Sequence, residues 1–109
     1  ILGRETRLVY CTTKAAVVTL SRVVALEWAK YNINVNVIAP TLTETPMTAG
    51  MMADRELFEA FVRRIPLGRV AQPADLAAAC IYLASDASDF VTGHTLVVDG
   101  GWTLHQEPA

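Results

Sequence analysis

The sequence has few charged residues, few cysteines and no excess of positive charge. Of the 109 residues 18% are charged, and 9 Lys and Arg stand against 11 Asp and Glu, for a formal net charge of -2. Nucleic acid is not the expected partner, because a phosphate backbone is bound mainly by clustered cations. Cys11 and Cys80 lie far apart without CxxC spacing, which disfavours a disulfide framework and a zinc site. They are typical of reduced, buried thiols in a cytoplasmic protein.

Long apolar runs and glycine-rich loops are also missing. No uninterrupted apolar run approaches the roughly 18 residues of a spanning helix, and residues 1–7 lack the apolar core of a signal peptide, so no membrane partner is expected. The six glycines form no phosphate-binding loop between a strand and a helix. Apolar residues still make up 52%, enough for the core of one domain.

The hydropathy pattern predicts alternating helices and strands. The predicted elements are a helix over about 10–31, a strand over 34–39 stopped by Pro40, a loop over 41–52, a helix over 54–64, a helix from Pro73 to about Ser85, and a strand over 95–98 closed by a turn at 99–101. Strands separated by helices indicate a parallel α/β fold with a right-handed crossover. Two strands are too few for such a sheet, and the chain begins with Ile1 rather than Met, so about half of a doubly wound domain is expected to lie outside residues 1–109.

The first predicted helix is apolar on two faces. One face is expected to pack on the sheet, whereas the other needs a second layer or a partner subunit to cover it. Val18→Glu and Ala25→Glu would place a charge on this second face and are expected to weaken assembly. The residues are Ala16, Leu20, Val23 and Val24 on one face and Val18, Ala25 and Ala29 on the other.

Tyr10 and Lys14 form a candidate catalytic pair. They are four residues apart on the predicted helix, so their side chains share one face one turn apart. A phenol is a weak base at neutral pH, and a nearby ammonium group favours its phenolate form. The pair is therefore a plausible device for proton transfer, although this spacing also arises by chance.

Eight short motifs follow one another along the chain. They are Tyr-x-x-x-Lys at 10–14, Val-Asn-x-Ile-x-Pro at 35–40, Thr-Pro-Met at 45–47, Pro-Leu-Gly-Arg at 66–69, Pro-x-Asp at 73–75, Leu-Ala-Ser at 83–85, Thr-Gly at 92–93 and Val-Asp-Gly-Gly at 98–101. As an ordered set they resemble the C-terminal half of the short-chain dehydrogenase/reductase family. The resemblance implies a doubly wound, Rossmann-like parallel sheet, of which residues 1–109 would be the C-terminal portion of a single domain.

The resemblance also implies an activity and a set of roles. The enzyme would transfer hydride between NAD or NADP and an alcohol, sugar or ketone, with Tyr10 as general acid/base and Lys14 binding the nicotinamide ribose. Both residues would touch the cofactor, and residues 47–65 would form a substrate lid. The implied cofactor-binding loop after the strand contributes Pro40, Thr41, Thr43 and Thr45. No metal site is expected.

Departures from the family pattern keep an alternative open. Thr41 stands where the family usually has glycine, and Thr43 where it often has isoleucine or valine. The family's catalytic serine and glycine-rich loop would precede Ile1. A non-catalytic, dehydrogenase-like binding or scaffold subunit is therefore the second hypothesis. The family's enoyl reductases separate the tyrosine and lysine by six residues rather than three, which disfavours that activity.

The resemblance further implies assembly. Family members form dimers and tetramers around the first helix, so a cytoplasmic homodimer or homotetramer is expected. Trp102 and Leu104, which follow the final strand, are candidates for a second interface. Core packing and a pocket wall are the other interpretations of Trp102. Asp99, Gly100 and Gly101 are expected to be structural, because glycines suit a turn with positive φ.

Overall fold

The computed structural model describes residues 4–104, so the ends of the predicted 1–109 domain lie outside the described residues. The elements are α1 (Leu8–Trp28), β1 (Val37–Pro40), α2 (Ala49–Ala53), α3 (Arg55–Val62), α4 (Pro73–Ala84) and β2 (Thr95–Val98), with 3-10 turns at Ala29–Tyr31, Asp86–Ser88 and Trp102–Leu104. The helices predicted near residues 10, 54 and 73 and the strand at 95–98 are confirmed.

The two strands form a parallel pair. β1 and β2 run in register from Val37 opposite Thr95 to Pro40 opposite Val98. α4 lies between them in the sequence, so it belongs to the crossover that parallel strands require. The predicted parallel α/β arrangement is confirmed.

The start of the first strand was predicted three residues too early. Residues 34–36 make most of their hydrogen bonds through side chains: the Asn34 amide donates to the carbonyls of Ser88 and Asp89, and the Asn36 amide donates to that of Val91. The Val35 carbonyl accepts from the backbone N–H of Gly93 at 2.7 Å. Asn36 Oδ1 also accepts from the backbone N–H of His94 at 3.0 Å. These side chains fix the turn before β2, and regular pairing begins only at Val37.

Pro40 lies inside β1, as its last residue, rather than after it. A proline has no N–H to donate to a ladder, and at the end of a short strand this costs little.

Helix α1 packs on the opposite face from the one predicted. Ala25 is 3% exposed and Val18 is half-buried, whereas Leu20 is 62% exposed and Val23 is also exposed. A Cβ atom placed on Gly93 would lie 3.6 Å from the Ala25 Cβ, so two small residues let the helix approach the turn before β2 closely. The expectation that Val18 and Ala25 lie on the exposed face was wrong.

The length and composition of α1 differ from the expectation that no segment is long and apolar enough to span a membrane. Leu8–Tyr31 has 24 residues and an apolar window of mean hydropathy 1.3, which is long and apolar enough to cross a membrane. The core helices of soluble proteins meet the same criterion. Isolated polar residues divide this helix, so its apolar character does not appear as one uninterrupted run in the sequence.

The segment after β1 holds two short helices. Residues 41–52 were predicted as a loop, but Ala49–Ala53 form α2. α3 follows at once, because Asp54 leaves the helical conformation and its carboxylate accepts from the backbone N–H of Leu57 at 3.1 Å. This is an ordinary N-cap, and it begins a new helix in a new direction.

Candidate active site

Tyr10 and Lys14 lie in the first turns of α1. The Lys14 Nζ atom is 5.7 Å from the centroid of the Tyr10 ring, and the ring is 59% exposed. The predicted helix face shared by these two side chains is therefore present. Cys11, the neighbour of Tyr10, is half-buried on the packed side of the helix, as expected for a packing residue. Cys80 is exposed, so the expectation that it is buried was wrong.

The loop after β1 is organised by threonine hydroxyls. Thr43 Oγ1 donates to the Thr41 carbonyl at 3.1 Å, and Thr48 Oγ1 donates to the Thr43 carbonyl at 2.7 Å. The same Thr48 hydroxyl accepts from the backbone N–H of Thr45 at 3.0 Å. Thr48 thus fixes the position of the predicted cofactor-binding residues, and sequence reasoning missed it. The available signal was the Thr45-x-x-Thr48 spacing, in which a hydroxyl closes a turn before a helix.

Backbone pairing holds this loop against the segment that leads to α4. The backbone N–H of Ala71 donates to the Leu42 carbonyl at 3.0 Å, and the Ala71 carbonyl accepts from Glu44 at 2.9 Å. Ala71 is buried, and the Gln72 amide donates to the Glu44 carboxylate. The two backbone hydrogen bonds form an isolated parallel bridge between Thr43 and Ala71.

An ion pair between Arg69 and Asp75 joins the Pro-Leu-Gly-Arg motif at 66–69 to the Pro-x-Asp motif at 73–75. Their side chains form two hydrogen bonds, of 2.7 and 3.0 Å. The Arg69 guanidinium, together with the backbone N–H of Gln72, lowers the pKa of Asp75 to about 2. Asp75 lies in the first turn of α4. It also ties Arg69 to that helix, and Leu67 two residues earlier donates to the Gly100 carbonyl at 3.1 Å.

The turn after β2 is structural, as predicted. Burial of Asp99 raises its pKa, but hydrogen bonds from the Thr103 hydroxyl and from the backbone N–H groups of Thr103 and Gly101 outweigh this effect and lower it. Gly100 and Gly101 have φ of 62° and 90°. A Cβ on Gly100 would lie 2.7 Å from Ile65 Cγ2, so the residue must be small as well as flexible.

An open cleft of about 530 Å³ lies beside the loop after β1, lined by Glu44, Thr45, Pro46, Ala49, Met52 and Ala53. It adjoins the carboxyl end of a parallel strand, where α/β sheets bind ligands. Hydroxyl and backbone groups there suit a nicotinamide. Within residues 4–104 no group of three or more His, Cys, Asp or Glu side chains is placed to hold a metal ion.

The predicted site residues form two separate groups. Tyr10 and Lys14 contact each other on α1, and Thr41, Thr43 and Thr45 belong to one hydrogen-bonded loop after Pro40. No hydrogen bond joins the two groups within the described part of the chain.

The chain matches a family described as Enoyl-(Acyl carrier protein) reductase over residues 2–103. Among curated relatives, the 2-dehydro-3-deoxy-D-gluconate 5-dehydrogenase of Dickeya dadantii is 47% identical over 93 residues, which cover 85% of this chain and 37% of that protein. The NAD-dependent glycerol dehydrogenase of Listeria innocua is 39% identical over 104 residues, covering 95% of this chain and 41% of that protein. The chain thus spans about two fifths of the length of these relatives.

Solved structures agree with this match. The gluconate 5-dehydrogenase of Burkholderia cenocepacia, in complex with NADP and tartrate, is 41% identical with a TM-score of 0.91, covering 96% of this chain and 41% of that one. A 4-hydroxyisoleucine dehydrogenase complexed with NADH is 31% identical with a TM-score of 0.92, covering 96% of this chain and 43% of that one. This coverage includes α1, so the long apolar helix is part of the shared fold, and the predicted Rossmann-like class is confirmed. The chain belongs to the short-chain dehydrogenase/reductase family.

Proposed function

We propose that residues 1–109 are the C-terminal portion of one Rossmann-like dehydrogenase domain. The domain would transfer hydride between NAD or NADP and an alcohol, sugar or ketone. The observation that carries this proposal is the Lys14 ammonium group 5.7 Å from the Tyr10 ring centroid, at the start of α1. The related dehydrogenases, including one that is NAD-dependent and one in complex with NADP, support the cofactor and the reaction class.

In this proposal Tyr10 moves the proton. Its exposed hydroxyl would donate to the carbonyl oxygen during reduction and take the proton from the alcohol during oxidation. Lys14 would stabilise the phenolate form between these steps and hydrogen-bond the nicotinamide ribose. A nicotinamide held there would supply the hydride during reduction and accept it during oxidation.

The loop after β1 would hold the nicotinamide. Pro40 ends the strand, and Thr41, Thr43 and Thr45 follow it in a loop that Thr48 and Ala71 keep rigid. A rigid loop positions the ring without a large loss of entropy on binding. The Thr41 substitution for the usual glycine is compatible with this role, because Thr41 does not have positive φ.

The substrate would be a small-molecule alcohol or carbonyl compound covered by the lid at about 47–65. This lid consists of α2 and α3. Met51, Met52 and Phe58 are half-buried there and present flexible or aromatic apolar surface.

Two other functions are less well supported. A non-catalytic scaffold subunit would not need the Tyr10 and Lys14 pair, and the related proteins of established activity are dehydrogenases. An enoyl reductase, despite the description of the matching family, does not fit three residues between the tyrosine and the lysine.

We further propose a cytoplasmic homodimer or homotetramer. The support is the exposed apolar face of α1 with Leu20 and Val23, which an isologous contact between two copies would cover.

The absorbance of reduced nicotinamide tests the activity. The complete polypeptide is assayed with both cofactors against glycerol, sugar alcohols, sugar acids and ketones, with an enoyl thioester as the comparison substrate. Turnover of an alcohol or a ketone supports the proposal. Turnover of the enoyl thioester alone would replace it with the enoyl reductase function, and the absence of any turnover would favour the scaffold.

A further inference from the structure

Trp102 makes the aromatic contact between the turn after β2 and helix α3. Its indole stacks on the Phe61 ring, with 5.8 Å between centroids and 7° between the ring planes. The Arg64 guanidinium carbon lies 5.2 Å from the indole as well. Phe61 is in the last turn of α3 and Arg64 follows it, so both contacts hold the carboxyl end of that helix.

The turn that carries Trp102 is rigidly built. The Asp99 carboxylate accepts from the backbone N–H groups of Gly101 and Thr103 and from the Thr103 hydroxyl. A Cβ on Gly101 would lie 2.9 Å from Pro66 Cγ, so the turn packs closely against Pro66, which follows α3. Trp102 is therefore fixed relative to the strands, and its ring can fix α3 in turn.

The amino end of α3 is held differently. α2 and α3 meet at Asp54, where the backbone is extended, and Met47 before α2 is almost fully exposed. α2 lines the 530 Å³ cleft through Ala49, Met52 and Ala53. The stacked end thus acts as the fixed point of the α2–α3 segment, and the opposite end faces the cleft.

The indole N–H takes no part in this contact. Trp102 Nε1 is buried and has no hydrogen-bond partner within residues 4–104. The contact with α3 therefore depends on the ring faces, which a phenylalanine also offers.

We propose that Trp102 is a positioning residue that sets the orientation of the α2–α3 lid through its stack on Phe61, and so controls substrate affinity. The inference rests on the proposed function, because it takes residues 47–65 to be the substrate lid. Trp102 itself would not touch the reacting atoms.

The experiment compares Trp102→Ala with Trp102→Phe in the complete polypeptide. Phe90→Ala is the matched control, because Phe90 is a fully exposed aromatic residue. Removing the stack should raise the substrate KM about three- to tenfold, with the cofactor Kd within about twofold of the parent. Trp102→Phe should restore the parent KM, and Phe90→Ala should leave it unchanged.

Hydrogen exchange without substrate or cofactor provides a second readout. The amides of residues 55–62 should exchange faster in Trp102→Ala than in Trp102→Phe, whether or not the parent has activity. If Trp102→Ala does not fold, Phe61→Leu breaks the same stack from the other side and is judged by the same criteria. An unchanged KM, an equal rise in the cofactor Kd, or identical behaviour of the Ala and Phe variants would overturn the proposal. Failure of the function itself would instead appear as a parent protein without dehydrogenase turnover.

Discussion

At the scale of single residues, a substitution of Tyr10 tests the proposed chemistry most directly. Tyr10→Phe removes the hydroxyl and keeps the ring, so kcat should fall about 10²- to 10⁴-fold while cofactor binding persists. Tyr31→Phe is the matched control, since the Lys30 Nζ atom lies 5.1 Å from the Tyr31 ring in a similar arrangement. Stopped-flow absorbance measures both variants. A Tyr10→Phe enzyme that turns over within threefold of the parent would remove Tyr10 from the mechanism.

Asp75 makes folding stability depend on pH. Its pKa is lowered to about 2 from an ordinary 3.8, so the folded state binds the proton more weakly than the unfolded state. The stabilisation is complete above pH 3.8 and is lost as the pH falls towards 2. The urea midpoint of Asp75→Asn should therefore lie below that of the parent at pH 6, and the gap should narrow between pH 4 and pH 2. A gap that stays constant over this range would show that the Arg69 pair does not contribute.

At the scale of elements, the two faces of α1 should respond differently to charge. Ala25→Glu buries an unpaired carboxylate against Gly93 and should destabilise the fold by about 3–5 kcal/mol. Leu20→Glu places the same charge on the exposed face and should leave the fold intact but weaken assembly. Thermal melts separate the two variants, and light scattering reports their mass. Equal melting temperatures with an unchanged mass for Leu20→Glu would contradict both the packing and the proposed interface.

The elements were predictable to different degrees. α4 was predicted within one residue, because Pro73 at its start and an acidic residue in its first turn are strong local signals. α2 was missed, since a five-residue helix with a glycine has no such signal. β1 was placed too early, because Asn34 and Asn36 alternate with valines like strand residues but bind a distant turn through their side chains.

At the scale of the whole molecule, the chain supplies one side of a proposed dinucleotide site. Residues 1–109 alone should show no saturable micromolar binding of NADH or NADPH, because no glycine-rich phosphate loop is present and two strands cannot complete the sheet. Fluorescence titration tests this, with the gluconate 5-dehydrogenase of Burkholderia cenocepacia as the positive control for NADP. Saturation by the isolated chain would place the cofactor on residues other than those of the proposed site.

The sequence by itself determined the parallel α/β class, and it predicted the Tyr10 and Lys14 pair. Tyr10 and Lys14 contact each other within one helix, and β2 and its glycine turn depend on local conformational preferences. Neighbouring residues were therefore sufficient to predict these features. The family match confirmed the resemblance that the ordered motifs carried.

Only the tertiary structure decided which face of α1 is packed, what orders the loop after β1, and what Trp102 contacts. The sequence of a helix with two apolar faces does not show which face packs, because this depends on the neighbouring element. Here Gly93 is small enough for Ala25 to pack closely against it. Ala71 pairs with Leu42 and Glu44, and Phe61 stacks on Trp102, all far away in the sequence, and no local pattern encodes such contacts. Packing selects among the arrangements that local preferences leave open.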